Sequence, residues 1–175
     1  MLRLCPLLAA VALASPAFAD TKADLKQLGL KYDEKLLTSC LKGKSGDARQ
    51  GCIGKASGAC VKGNDSTAGT VACTSAEIAS WEKILTANYA QAMKTQKADD
   101  ANPDLNSPSS PPQREKLLRE MERSWITYRK AQCDLVTAQY GGGSGSGPAA
   151  NTCWMNATAR EALLLQDFLD QYEAQ

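Results

Sequence analysis

Histidine is absent from this 175-residue chain, and its absence removes several kinds of chemistry. Without histidine there is no Ser-His-Asp or Cys-His catalytic arrangement, no histidine-ligated metal and no imidazole switch near neutral pH. The chain also lacks a Cys-x-x-Cys pair, the most compact cysteine arrangement for zinc. We therefore expect no catalytic residues, no metal site and no cofactor.

Neither sign of charge is in excess, since the chain carries 20 basic and 19 acidic side chains. Arg3 lies in the leader described below, so the rest of the chain is neutral. Neutrality argues against nucleic acid or an anionic membrane surface as the main partner. The chain also lacks an apolar run of about 20 residues, the length that spans a bilayer, so we expect no membrane insertion.

The first 19 residues have the pattern of a secretory signal peptide. Arg3 supplies a positive charge, segment 4–13 is almost wholly apolar, and Ala-Phe-Ala at 17–19 offers a cleavage site. The apolar segment is too short for a membrane anchor, which is the competing interpretation. We expect cleavage after Ala19, a mature chain that begins at Asp20, and a periplasmic or secreted location.

Six cysteines follow the leader, and an even number in an exported chain indicates disulfide bonds. Zinc is the alternative, but without histidine it would need widely spaced thiolates as ligands. Six cysteines allow many connectivities. We favour bonds between neighbours in sequence, because each then closes a short loop between adjacent elements. These pairs are Cys40–Cys52, Cys60–Cys73 and Cys133–Cys153.

Hydrophobic periodicity predicts an all-α protein, a small disulfide-stapled bundle of four to five helices. The predicted helices cover 20–41, 47–61, 74–97, 113–140 and 150–172. Thr74 and Glu77 form a capping box that predicts where the third helix starts. Residues 20–61 then form an N-terminal helical segment, 62–73 a loop, and 74–175 the main domain, whose three helices form an antiparallel bundle.

Two polar segments interrupt the main domain. Segment 98–112 is rich in proline and serine and segment 141–149 is rich in glycine, so both are predicted to be exposed. Asp99, Asp100 and Asp104 cluster in the first of them. The cluster lacks EF-hand spacing, so we expect a hydrated acidic loop, or a patch for a basic protein partner, rather than a calcium site.

The helix at 113–140 combines an apolar stripe with many charges. The predicted stripe consists of Leu118, Met121, Trp125, Tyr128 and Leu135. Glu115, Glu120 and Glu122 raise the possibility of paired catalytic carboxylates. Because their helix is so highly charged, we interpret them as an exposed face and expect no enzyme activity.

A motif in the same helix places Trp125, Arg129 and Cys133 four residues apart, on one helix face. Two hypotheses for Arg129 remain open. It is either a structural clamp, which pairs with a carboxylate such as Glu161 or hydrogen-bonds backbone carbonyls, or part of a ligand-binding surface.

This motif resembles the lysozyme inhibitor LprI-like family. The similarity rests on Trp-Ile-Thr-Tyr-Arg-Lys-Ala-Gln-Cys at 125–133, which includes Tyr128, and on Cys153 and Arg160 downstream. With upstream cysteines and aromatic residues it covers roughly 52–169. The resemblance implies an exported helical protein whose partner is a lysozyme or another envelope protein. It supplies no agreed set of inhibitory residues, and an envelope module without lysozyme inhibition is the alternative.

Overall fold

The structure is a computed structural model that describes residues 21–109 and 111–174. The predicted signal peptide and its cleavage site lie outside these ranges. Within them the fold is all-α, as predicted, with one α-helix more than the four to five expected. The helices are α1 Thr21–Gln27, α2 Glu34–Leu41, α3 Lys55–Val61, α4 Thr67–Ala101, α5 Arg114–Gln139 and α6 Ser146–Glu173. Two 3-10 helices, Gly46–Cys52 and Pro103–Leu105, lie between them.

The three long helices form the predicted bundle. Helix α5 runs antiparallel to both neighbours, as its contacts with α4 and α6 show. Helices α4 and α6 are therefore parallel, and they pack most extensively on each other. On α4, the Asn88 amide donates a hydrogen bond of 2.9 Å to the Ala162 carbonyl of α6. The core between the helices is apolar, and Trp81, Ile78 and Leu165 are almost fully buried there.

The N-terminal elements pack on the side of α4, and a buried carboxylate joins them to it. Glu77 of α4 is fully buried. Its carboxylate accepts hydrogen bonds from the backbone N–H of Gly54 at 2.7 Å and of Ser57 at 2.6 Å. It also accepts one from the Trp81 indole at 3.1 Å. Glu77 therefore caps α3 from a neighbouring helix, and the capping box predicted for Thr74 and Glu77 is wrong.

Helix α4 begins earlier than predicted, at Thr67, inside the segment 62–73 expected to be a loop. The cap is Ser66, whose hydroxyl accepts a hydrogen bond of 3.0 Å from the Gly69 N–H. The first predicted helix is instead two helices. Gly29 has a φ of 65°, a conformation that glycine adopts readily, and α1 ends just before it.

All three favoured disulfides are present. Cys40–Cys52 joins α2 to the first 3-10 helix, Cys60–Cys73 joins α3 to α4, and Cys133–Cys153 joins α5 to α6. Their Cα–Cα distances are 5.7, 5.8 and 5.5 Å. Every α-helix except α1 therefore carries at least one cysteine of a disulfide within it.

The apolar stripe predicted for α5 is only partly correct. Tyr128 and Leu135 are 63% and 64% exposed, and Met121 is exposed as well. The face that packs against the bundle contains Leu118 and Cys133, but also a charged residue, Arg129. Among the described helices, none is long and apolar enough to cross a membrane.

Candidate functional site

Arg129 lies where α4, α5 and α6 meet and is only 8% exposed. Its Nη1 donates hydrogen bonds to Glu82 Oε1 of α4 at 2.6 Å and to Thr158 Oγ1 of α6 at 2.8 Å. Because both bonds involve a charged donor, they are stronger than neutral ones. The carboxylate that pairs with Arg129 is thus Glu82, and the pairing predicted with Glu161 is wrong.

Two tryptophans enclose the same guanidinium. Its carbon lies 4.2 Å from the Trp125 ring centroid and 4.6 Å from the Trp154 ring centroid. Each cation–π contact contributes about 0.5–2 kcal/mol, more where water is excluded. Trp125 was expected on this face, whereas Trp154 was missed, although it directly follows Cys153 of the motif. Two ring contacts and two hydrogen bonds therefore hold the arginine in place.

Two carboxyl groups lie close to this arginine. Burial, together with the negative charge of Glu161, raises the pKa of Glu122 to about 7, although Arg129 acts to lower it. Burial likewise raises the pKa of Glu161, against the attraction of Arg129. One Glu122 oxygen, Oε2, is buried without a hydrogen-bond partner in the structure. The expectation that Glu122 belongs to an exposed face is therefore wrong.

An open groove of about 800 Å³ runs along the outer side of α5 and α6. Its lining includes Trp125, Tyr128, Tyr140, Arg160 and Glu161. Two motif residues, Tyr128 and Arg160, thus project from the bundle and share one surface, whereas Arg129 lies behind that surface. The disulfide residue Cys153 also lines the groove.

The acidic cluster lies at the opposite end of α5. Asp100 accepts hydrogen bonds from the backbone N–H groups of Arg114 and Glu115, each at 3.0 Å, and so caps α5. Partial burial acts to raise the Asp100 pKa, but these bonds and the Arg114 guanidinium lower it overall. Asp99 is buried and accepts a hydrogen bond from the Tyr172 hydroxyl.

Only Asp104 of the three predicted binding residues is left exposed. Two of the three carboxylates therefore connect α4 with α5 and α6, and the cluster is not an acidic protrusion. Among the residues that the structure describes, no group of three or more His, Cys, Asp or Glu side chains is arranged to hold a metal ion.

The family model of the lysozyme inhibitor LprI matches residues 60–165. The chain belongs to the lysozyme inhibitor LprI family. The match includes the whole of α4 and α5 and most of α6, and with them the Arg129 centre and the groove. Helices α1 and α2 and the Cys40–Cys52 disulfide lie before it. No curated protein and no solved structure matches the chain.

Proposed function

We propose that this protein is exported to the periplasm and inhibits a lysozyme by binding it, without catalysing a reaction itself. The observation that carries the proposal is the family match over 60–165. The leader pattern at 1–19 and three disulfides suit an oxidising compartment.

A preorganised surface favours such binding, because ordering of loops and side chains on association subtracts from affinity. The α5–α6 hairpin has this property. Its turn at 141–145 follows a helix fastened by Cys133–Cys153 and by the Arg129 clamp. Gly141 and Gly142 have φ values of 57° and 78°, which non-glycine residues rarely adopt, so the turn has a defined shape.

The contact surface that we propose is the end of this hairpin, with Tyr140 as its anchor. Tyr140 is 51% exposed, and tyrosine is enriched among the residues that dominate binding energy at interfaces. The second candidate is the linker 102–112, where Asp104 offers a negative charge to a basic enzyme. Asp99 and Asp100 contribute less there, because both already accept hydrogen bonds within the protein.

An envelope module without lysozyme inhibition is the alternative function. The exposed groove between α5 and α6 favours it, since a broad, partly apolar surface along the side of a bundle suits a partner other than an enzyme cleft.

The test is lysozyme activity on cell walls, titrated with the oxidised protein and with a reduced, alkylated control. We expect dose-dependent inhibition that is lost on reduction. Tyr140→Ala should weaken inhibition at least tenfold if the hairpin end makes the contact. The matched control is Leu135→Ala, because Leu135 is exposed on α5 but lies away from the hairpin end. No inhibition of several lysozyme classes by the folded protein would contradict the proposal and favour the alternative.

A further inference from the structure

The groove between α5 and α6 has a lining of aromatic rings and a few polar groups. Tyr128 and Tyr140 are 63% and 51% exposed, and the half-buried Trp125 lies beside them. Twelve residues separate the two tyrosines along one helix, which corresponds to about 18 Å. Pockets with mainly apolar walls and a small number of placed polar groups are typical of small-molecule sites.

One polar group in the groove has no hydrogen-bond partner among residues 21–109 and 111–174. Glu161 is only 7% exposed, yet it lines the groove. No donor in the described part of the chain hydrogen-bonds its carboxylate, since Arg129 donates to Glu82 and Thr158 instead. Buried carboxylates in folded proteins almost always accept hydrogen bonds. Glu161 is therefore an acceptor directed at the groove with its bonding capacity unused.

The charges around the groove balance each other. Arg160 directly precedes Glu161 on α6 and lines the same surface, and the Arg129 guanidinium lies against the Trp125 ring. A cationic ligand would meet these two arginines, and an anionic ligand would meet the Glu161 carboxylate. The site thus favours an uncharged ligand that brings hydrogen-bond donors and a face able to stack on aromatic rings.

We propose that this groove binds a neutral saccharide, with the C–H faces of the sugar rings on Tyr128 and Tyr140 and a hydroxyl or amide N–H donated to Glu161. Gln132 and Asn156 line the same surface and supply amide groups for further hydroxyls. The length between the tyrosines suits a short chain of sugar rings. This activity goes beyond lysozyme inhibition, because it gives the protein direct contact with glycan. The groove shares Tyr140 with the hairpin end but extends from it along α5 and α6 to Tyr128 and Glu161.

The test is isothermal titration of the full oxidised protein with an uncharged trimer of N-acetylglucosamine. The cationic glucosamine trimer and the anionic galacturonic acid trimer serve as ligand controls. We expect saturable binding of the neutral trimer only. Tyr128→Ala should weaken it about tenfold, because a stacking surface is lost. Glu161→Gln should weaken it about fivefold or more, because a charged acceptor becomes a neutral one.

Leu135→Ala is the matched control variant, since Leu135 is equally exposed on α5 but does not line the groove. It should bind like the unaltered protein, and circular dichroism should show that all three variants are folded. No saturable binding at millimolar trimer, or equal binding by Tyr128→Ala and Leu135→Ala, would overturn the proposal. So would preference for a charged trimer. Loss of lysozyme inhibition in Tyr128→Ala without saccharide binding by the parent protein would also overturn it and make the groove a protein contact.

Discussion

The guanidinium of Arg129 stacks on the ring of Trp125, one helical turn earlier on α5, at 4.2 Å from the ring centroid. The spacing of four residues was visible in the sequence, and it places both side chains on one helix face. What the structure adds is a second ring, Trp154 of α6, with its centroid 4.6 Å from the carbon of the same guanidinium. In this chain, the Trp125, Arg129 and Cys133 motif is thus a packing arrangement through which α5 and α6 are joined.

Replacing Arg129 should destabilise the protein severely. Arg129→Ala removes both hydrogen bonds and both tryptophan contacts, whereas water hydrates part of the Glu82 carboxylate, whose side chain is 38% exposed. We expect a cost of about 2–4 kcal/mol. Arg129→Lys should also be destabilising, because an ammonium cannot stack between two rings as a planar guanidinium does. Urea unfolding measures both.

The control for Arg129 is its neighbour Lys130, which is exposed and paired with Asp134 within the same helix. Lys130→Ala should change the free energy of unfolding by less than about 1 kcal/mol. Equal effects of Arg129→Ala and Lys130→Ala would show that the clamp does not stabilise the bundle.

The stability of the protein should fall as the pH rises from about 4.5 to about 7. Burial raises the pKa of Glu122 from 4.5 to about 7, so the folded state retains a proton that the unfolded state has already lost. In that window folding binds protons, and raising the pH therefore favours unfolding, by on the order of 2 kcal/mol. Urea unfolding at a series of pH values measures this slope.

Glu122→Gln should flatten the slope and should be more stable than the unaltered protein at pH 8. Glu120→Gln is the matched control, because Glu120 is exposed and pairs with Lys116 on the same helix. A slope unchanged by Glu122→Gln would mean that this carboxyl is not the group that titrates.

Removing the Cys133–Cys153 disulfide should cost about 3 kcal/mol, because its loop spans 20 residues and the bond restricts the unfolded chain. The double variant Cys133→Ala and Cys153→Ala should still fold, since the Arg129 clamp also joins α5 to α6. A melting temperature within about 2 °C of the parent protein would contradict this expectation.

Glu77→Ala should loosen the start of α3, although the Cys60–Cys73 disulfide still holds α3 to α4. The backbone N–H groups of Gly54 and Ser57 lose their acceptor in the variant, and each buried donor left unpaired costs about 1–3 kcal/mol. Glu34→Ala is the control, because Glu34 makes only an exposed ion pair with Lys83. Hydrogen exchange should show faster exchange at 55–61 in Glu77→Ala alone, and equal protection in both variants would refute the cap.

The sequence was sufficient for the helical class, the disulfide pairs and the limits of α5, because these follow from local signals. Helix α5 was predicted at 113–140 and runs from Arg114 to Gln139. The partner of the cysteine in this helix lies across a short glycine-rich turn, so the preference for the shortest loop gave the correct disulfide. Local spacing likewise placed Trp125 and Arg129 on one face.

Errors arose where a polar side chain serves a distant element. Glu77 looked like part of a local capping box, whereas its hydrogen-bond partners lie in α3. Glu122 and Arg129 occupy the buried side of α5, where apolar residues were expected, so Tyr128 was assigned to the wrong face. The groove was also missed. Two helices form it, and the sequence pattern of each helix does not tell how the two are rotated relative to each other.

The central claim is that the protein inhibits lysozyme by binding the enzyme itself. The most direct measurement is residual lysozyme activity against inhibitor concentration, at two enzyme concentrations and two concentrations of cell-wall substrate. We predict that inhibition follows the molar ratio of protein to enzyme, persists when substrate is increased at a fixed ratio above one, and disappears with the reduced, alkylated protein. Full lysozyme activity in the presence of excess folded protein, or inhibition that follows the substrate concentration alone, would contradict the account.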